Sequence, residues 1–178
     1  LKALIIIDMQ QEMQFRIETG RDCVNGDAPK RIAALASAFR QRGLPVVHIR
    51  HHDDDPRSSM HADAAGYPPM ACAEALDGEA VFIKHTSSAF ASTDLEAHLR
   101  KEGIGELVVT GAVAGFCVNS TVRAGADLGF AMTVVRDAVV GFDLPDAGLS
   151  AQVIFDVTMA HLESDFARII DTSVVLAD

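Results

Sequence analysis

Strand-length apolar runs alternate with helix-like stretches along the chain, and few architectures accept that order. Leu4-Ile5-Ile6-Ile7 is an uninterrupted aliphatic run, as expected of a strand buried on both faces of a parallel sheet. Similar runs predict strands at Pro45–Ile49, Ala80–Ile83, Leu107–Val109, Ala131–Val135 and Val174–Leu176. A helix is expected over Pro29–Arg42, with Asp27 as N-cap, Gly43 past its end, and Ile32, Leu35 and Phe39 on one face. Thr93-Asp94-Leu95-Glu96 has the form of a capping box opening a helix that stops at Gly103. Two more helices are expected, from near Cys117 to Leu128 and from about Asp146 to Leu162. The pattern predicts one domain over residues 1–178. It is a three-layer α/β/α sandwich, Rossmann-like, around a mainly parallel six-stranded sheet.

Composition narrows the partners. A formal net charge of −10 argues against nucleic acid, whose phosphates call for clustered Lys and Arg. No apolar run reaches membrane-spanning length, and Leu4–Ile7 is too short for the core of a secretory leader. Three widely spaced cysteines, Cys23, Cys72 and Cys117, do not read as a disulfide framework. A reducing, cytoplasmic setting is the expectation. The stretch from His51 to Glu79 is rich in Asp, His, Pro, Gly and Ser and has no period; a loop that long is usually functional.

Three reactive residues share one topological address. Asp8 follows the first strand, Lys84 the third, and Cys117 lies beyond the fourth, where a helix begins. In open α/β sheets the carboxyl ends of the strands form the ligand crevice. A thiol at a helix start, beside an ammonium, is expected to have a lowered pKa, which makes Cys117 the most reactive thiol expected here. Asp8 can accept its proton. The turn Gly111-Ala112-Val113-Ala114-Gly115-Phe116-Cys117 can aim backbone N–H groups at a developing oxyanion. Each element alone is weak, since a buried cysteine is more often a core filler than a nucleophile.

Three segments carry a more specific signal: Ala3-Leu4-Ile5-Ile6-Ile7-Asp8-Met9-Gln10, Lys84-His85-Thr86-Ser87-Ser88-Ala89-Phe90 and Thr110-Gly111-Ala112-Val113-Ala114-Gly115-Phe116-Cys117-Val118. In this order they resemble the isochorismatase-like cysteine hydrolases, a family that includes nicotinamidases and carbamoylsarcosine amidohydrolases. The resemblance implies a catalytic triad of Asp8, Lys84 and Cys117. It also implies a cis peptide between Ala112 and Val113, and an oxyanion hole from the N–H groups of Val113 and Cys117. Gln11-Glu12-Met13 replaces the Asn-Asp-Phe run of many relatives, and Phe116 stands where a polar residue is common.

The implied reaction is hydrolysis of a small amide or carbamoyl-type C–N bond through a thioester, with no cofactor and a small molecule as substrate. Vinyl ether hydrolysis of the isochorismatase type is disfavoured by Cys117, a non-catalytic binding domain by the intact triad, and a thiol redox role by the absence of a resolving cysteine. Specificity is expected around Phe15, Tyr67, His85, Phe90 and Phe116, while Gln10 is expected to brace the first loop. Nicotinamidase-like members bind a metal through an Asp-x-His pair; here the matching residues read His51-x-Asp53, in reverse, and no metal is expected. The resemblance also implies a homo-oligomer. Val139, Val140, Phe142 and Leu144, with Val153, Ile154, Phe155, Val157 and Met159, offer apolar surface for an interface.

Overall fold

Period-two burial along the central strands divides the molecule into layers. Leu4 and Ile6 of β1 (Lys2–Ile7) pack into one apolar cluster, and Ile5 and Ile7 into the other, on the opposite face of the sheet. The computed structural model describes residues 1–177; Asp178, the last residue of the expected domain, lies outside the described residues. The remaining strands are β2 (Cys23–Val24), β3 (Val46–His51), β4 (Ala80–Lys84), β5 (Glu106–Ala112), β6 (Ala131–Phe142) and β7 (Arg168–Ile170). Their order is β2-β6-β5-β1-β3-β4, with β7 also paired to β6. Among these strands of the described residues, the β2–β6 pairing is antiparallel and the others are parallel.

The helices are α1 (Gln11–Glu18), α2 (Ala28–Gln41), α3 (Leu95–Lys101), α4 (Asn119–Asp127), α5 (Ala151–Asp165) and α6 (Thr172–Ala177). Ile32, Leu35, Ala36 and Phe39 of α2 and Val175 of α6 cover one sheet face. Leu95 and Leu99 of α3, Val122 of α4, and Phe155, Met159 and Leu162 of α5 cover the other. The three-layer α/β/α expectation holds, and the glycines expected to close helices, Gly43 and Gly103, have positive φ, as does Gly129 after α4.

The sheet has seven strands, not six. Val174–Leu176, expected as the sixth strand, lies in α6. A three-residue apolar run is ambiguous between strand and helix, and here Asp137 decides: its Oδ1 accepts from the N–H and hydroxyl of Thr172, at 2.8 and 2.7 Å, fixing a helix start. The short strands β2 and β7 are additions, both recruited by β6. β6 runs well beyond Val135, and Asn25 Nδ2 donates to Arg136 O and Val139 O where it turns. That extension buries Val139, Val140 and Phe142 within the chain, so they are not available as interface residues; Phe155 and Met159 are likewise internal. The capping box is displaced. Thr93 Oγ1 accepts from Leu95 N–H, while Glu96 pairs with Arg100 instead of reaching back.

Candidate active site

Each reactive side chain leaves the sheet at the carboxyl end of a strand. Asp8 directly follows β1 with φ of 51°, a left-handed conformation that is costly for a residue with a Cβ and is found where surroundings enforce it. Its N–H donates to Ile49 O and its carbonyl accepts from Gln10 N–H, which holds the turn. Beside it, Gly111 of β5 has φ of +116°, and a Cβ there would stand 2.1 Å from Ile7 O. Only glycine lets β5 come this close to β1. The Ala112–Val113 peptide is cis, and the chain then makes a turn of π-helix over Ala114–Val118 that carries Cys117 before α4 begins. Such wide turns recur at functional sites.

Lys84 ends β4, two strands away from Asp8, and reaches across β3. Its side chain is fully buried. The ammonium meets Asp8 Oδ2 at 2.9 Å, His51 Nδ1 at 2.9 Å and Cys117 Sγ at 3.2 Å. Three acceptors use all three of its hydrogens. His51 Nδ1 must therefore be the unprotonated ring nitrogen, a tautomer assigned from the network. Burial, then the Lys84 charge, lowers the His51 pKa, in keeping with a neutral ring. The expected triad residues thus converge, and the structure adds His51, which no motif had marked as a partner of Lys84. The signal lay in register: His51 pairs with Lys84 across β3 and β4.

The electrostatics reverse one expectation. Burial pushes the Cys117 thiol up to about 12, reinforced by Asp8 and only partly opposed by Lys84. Burial likewise raises Asp8, with Lys84 opposing. The helix start and the ammonium do not outweigh desolvation, so the resting thiol is protonated. Burial also lifts Cys23, and takes Cys72 to about 11, so ionisation does not set Cys117 apart. What sets it apart is its neighbour. Asp8 Oδ1 is buried with no well-formed hydrogen bond, and the Asp8 carboxylate, a His51 ring nitrogen and Cys117 Sγ all lie within 4.8 Å of one another. An acceptor with an unused lone pair beside a protonated thiol is positioned to take its proton.

This cluster forms the floor of a cavity of about 300 Å³, whose walls include Met13, Arg16, Met60, Ser87, Val113 and Phe116. A second cavity of about 210 Å³, around Leu44, Gly78 and Ile104, sits at the opposite end of the strands and holds none of the cluster. Of the side chains expected to touch substrate, only Phe116 lines the catalytic-end cavity. Phe90 stacks on Phe130 at 5.7 Å, Tyr67 and His85 pack on His52, and Phe15 stands on the exposed side of α1. Met13, Arg16 and Met60 were not foreseen, because α1 and the long loop carry no period that would place them, and Ser87, though in the segment from Lys84 to Phe90, was not singled out. Gln10 braces the site as expected: its amide donates to His51 O and Tyr67 O and accepts from His51 N–H. The residues of the His51-x-Asp53 pair have separate partners. Lys84 occupies His51 Nδ1, and Asp53 Oδ1 accepts from Asp55 N–H.

A three-layer fold around a mainly parallel sheet thus brings an acid, a lysine and a cysteine together at the carboxyl edge of its strands. Residues 2–167 match the isochorismatase domain model, and the chain belongs to the isochorismatase family. It is 31% identical to the isochorismatase family protein YrdC of Bacillus subtilis, over 99% of this chain and 95% of that one. A crystal structure of an isochorismatase-family protein from Chromobacterium violaceum superposes with a TM-score of 0.92 at 35% identity, covering 99% of this chain and 92% of the other. A shorter similarity, 41% identity over 63 residues, covers 35% of this chain and 24% of the N-carbamoylsarcosine amidase of Arthrobacter sp..

Proposed function

We propose that this protein is a cysteine-dependent hydrolase of a small, non-peptide amide or carbamoyl C–N bond. The observation that carries the reading is the buried Lys84 ammonium, which holds Asp8 Oδ2 at 2.9 Å and Cys117 Sγ at 3.2 Å on the cavity floor. Cys117 Sγ attacks the substrate carbonyl carbon while its proton passes to Asp8, so no free thiolate has to accumulate. Negative charge on the carbonyl oxygen is met by the N–H groups of Val113 and Cys117. The C–N bond breaks as Asp8 returns the proton to the departing ammonia or amine. A thioester on Cys117 remains. Asp8 then takes a proton from water, hydroxide adds to the thioester, and the acid departs as the thiol is re-formed. Lys84 favours the ionised carboxylate against the effect of burial and offsets the charge that moves between Asp8 and Sγ.

Similarity to an amidase supports the bond type. The cavity volume, about 300 Å³, suits a compact substrate, and its methionine and phenylalanine walls suit an apolar body. No metal or organic cofactor enters any step. Three free cysteines suit a reducing cytoplasm, and no helix among the described residues is long and apolar enough to cross a membrane. We further propose a homo-oligomer, with the exposed Val153 and Val157 of α5 in its interface. The mechanism is tested by quenching the enzyme during turnover and measuring intact mass. The expected result is an acyl adduct that maps to Cys117; turnover in Cys117→Ser at the wild-type rate, with no adduct, overturns it.

A further inference from the structure

Strand register places a second histidine pair beside the catalytic cluster. His51 of β3 pairs with Lys84 of β4, and His52 N–H donates to Lys84 O at 2.9 Å. His52 and His85 therefore leave neighbouring strands side by side. They stand one position beyond His51 and Lys84, the last residues of β3 and β4. The two Nδ1 atoms lie 3.4 Å apart. Asp54 Oδ1 is 3.2 Å from His52 Nδ1 and 3.5 Å from His85 Nδ1.

We propose that His52, Asp54 and His85 bind a divalent transition-metal ion of the zinc type, at a site separate from the catalytic cluster. The three donor atoms form a nearly equilateral triangle. Zinc–nitrogen and zinc–oxygen bonds of about 2.0–2.1 Å arranged tetrahedrally put ligand atoms about 3.3 Å apart. The observed edges of 3.2, 3.4 and 3.5 Å match one face of that tetrahedron. Two imidazoles and one carboxylate are a borderline donor set that favours zinc, cobalt or nickel over magnesium or calcium, which prefer all-oxygen shells.

The donors rest on a positioned frame. His52 packs edge-on against Tyr67 at 5.7 Å, and His85 N–H donates to Ser92 Oγ at 3.0 Å. His61 packs beside His52, 5.5 Å away by ring centroids, and its Nδ1 accepts from Asp63 N–H. Water completes the coordination. Asp54 and His85 are exposed, so the ion exchanges readily. Asp54 opens the long loop and His85 follows β4, so the ion ties the loop to the strand that carries Lys84. The hydrolytic steps need none of this.

Metal-free protein titrated with Zn²⁺ alone by calorimetry, and with Co²⁺ followed in the visible spectrum, tests the site. One ion per chain and a tetrahedral Co²⁺ band are expected, both retained in Cys117→Ser. His85→Ala and Asp54→Asn, with unchanged circular dichroism, should each weaken binding by more than about tenfold. Absence of stoichiometric binding, or binding unaltered in His85→Ala, overturns the proposal. So does binding lost in Cys117→Ser, which would put the ion on the catalytic thiol.

Discussion

Lys84 is a charged group with no access to water, and its surroundings explain why the triad behaves as a unit. Lys84→Ala leaves the Asp8 carboxylate buried without its counter-ion, so a stability loss of about 3–5 kcal/mol is expected in urea unfolding, along with loss of turnover. Asp8→Asn removes the proton acceptor but keeps the shape. Its expected cost is on the order of a hundredfold or more in kcat/KM. The pH profile separates this chemistry from that of a pre-formed thiolate. Burial raises Asp8, so kcat/KM should rise through a limb above the ordinary carboxylate range, and Asp8→Asn should lack that limb. With the thiol at about 12, no further rise is expected through the usual thiol range near about 8.5. A rise there in the wild type would indicate attack by a free thiolate. The sequence marked Asp8, Lys84 and Cys117 because each stands in a motif. It did not mark the thiol's protonation, which depends on burial from every side, or His51, which depends on strand register.

At the scale of elements, one polar network ties α2 to the sheet. Arg40 of α2 donates to both carboxylate oxygens of Glu79, and His48 Nε2 lies 2.8 Å from Oε2. Burial alone would raise the Glu79 pKa. Arg40, the Leu76 N–H and His48 together hold it at about 2 instead. A depressed carboxylate pKa contributes stability that is complete above the unfolded value and lost as pH falls toward the folded one. Wild type should therefore lose about 3 kcal/mol of unfolding free energy between pH 5 and pH 2 through this group, and Glu79→Gln should lose correspondingly less over the same interval. Urea melts across that range measure it. Gly111→Ala is expected to cost more than about 3 kcal/mol, since its Cβ meets the β1 backbone. The strands β1, β3, β4 and β5 and helix α2 were legible because their apolar patterns are strong. α1 was not: it buries only Met13 and is held by loop contacts, such as Gly66 O accepting from Glu12 N–H. Val174–Leu176 misled because a cap from Asp137, distant in sequence, selects helix over strand.

For the whole molecule, the fold class follows from the alternation of elements, whereas assembly and substrate depend on surfaces with no periodic signature. Most of the apolar residues expected at an interface proved internal, because β6 is longer than its first apolar run. Val153 and Val157 are about half exposed on α5. Gel filtration with light scattering should give a mass of at least twice 19.0 kDa, and Val157→Glu should shift it toward one chain. A single-chain mass for the wild type at every concentration would exclude the interface. Turnover should survive dialysis against a chelator, because thiol chemistry runs without a Lewis acid and Lys84 occupies His51 Nδ1. The most direct measurement of the central claim is ammonia release from a panel of small amides, ureas and carbamoyl compounds, with wild type and Cys117→Ala side by side. Release by the wild type from at least one compound is expected, falling on the order of a hundredfold or more in the variant. Release at near wild-type rates by Cys117→Ala would contradict a thioester mechanism.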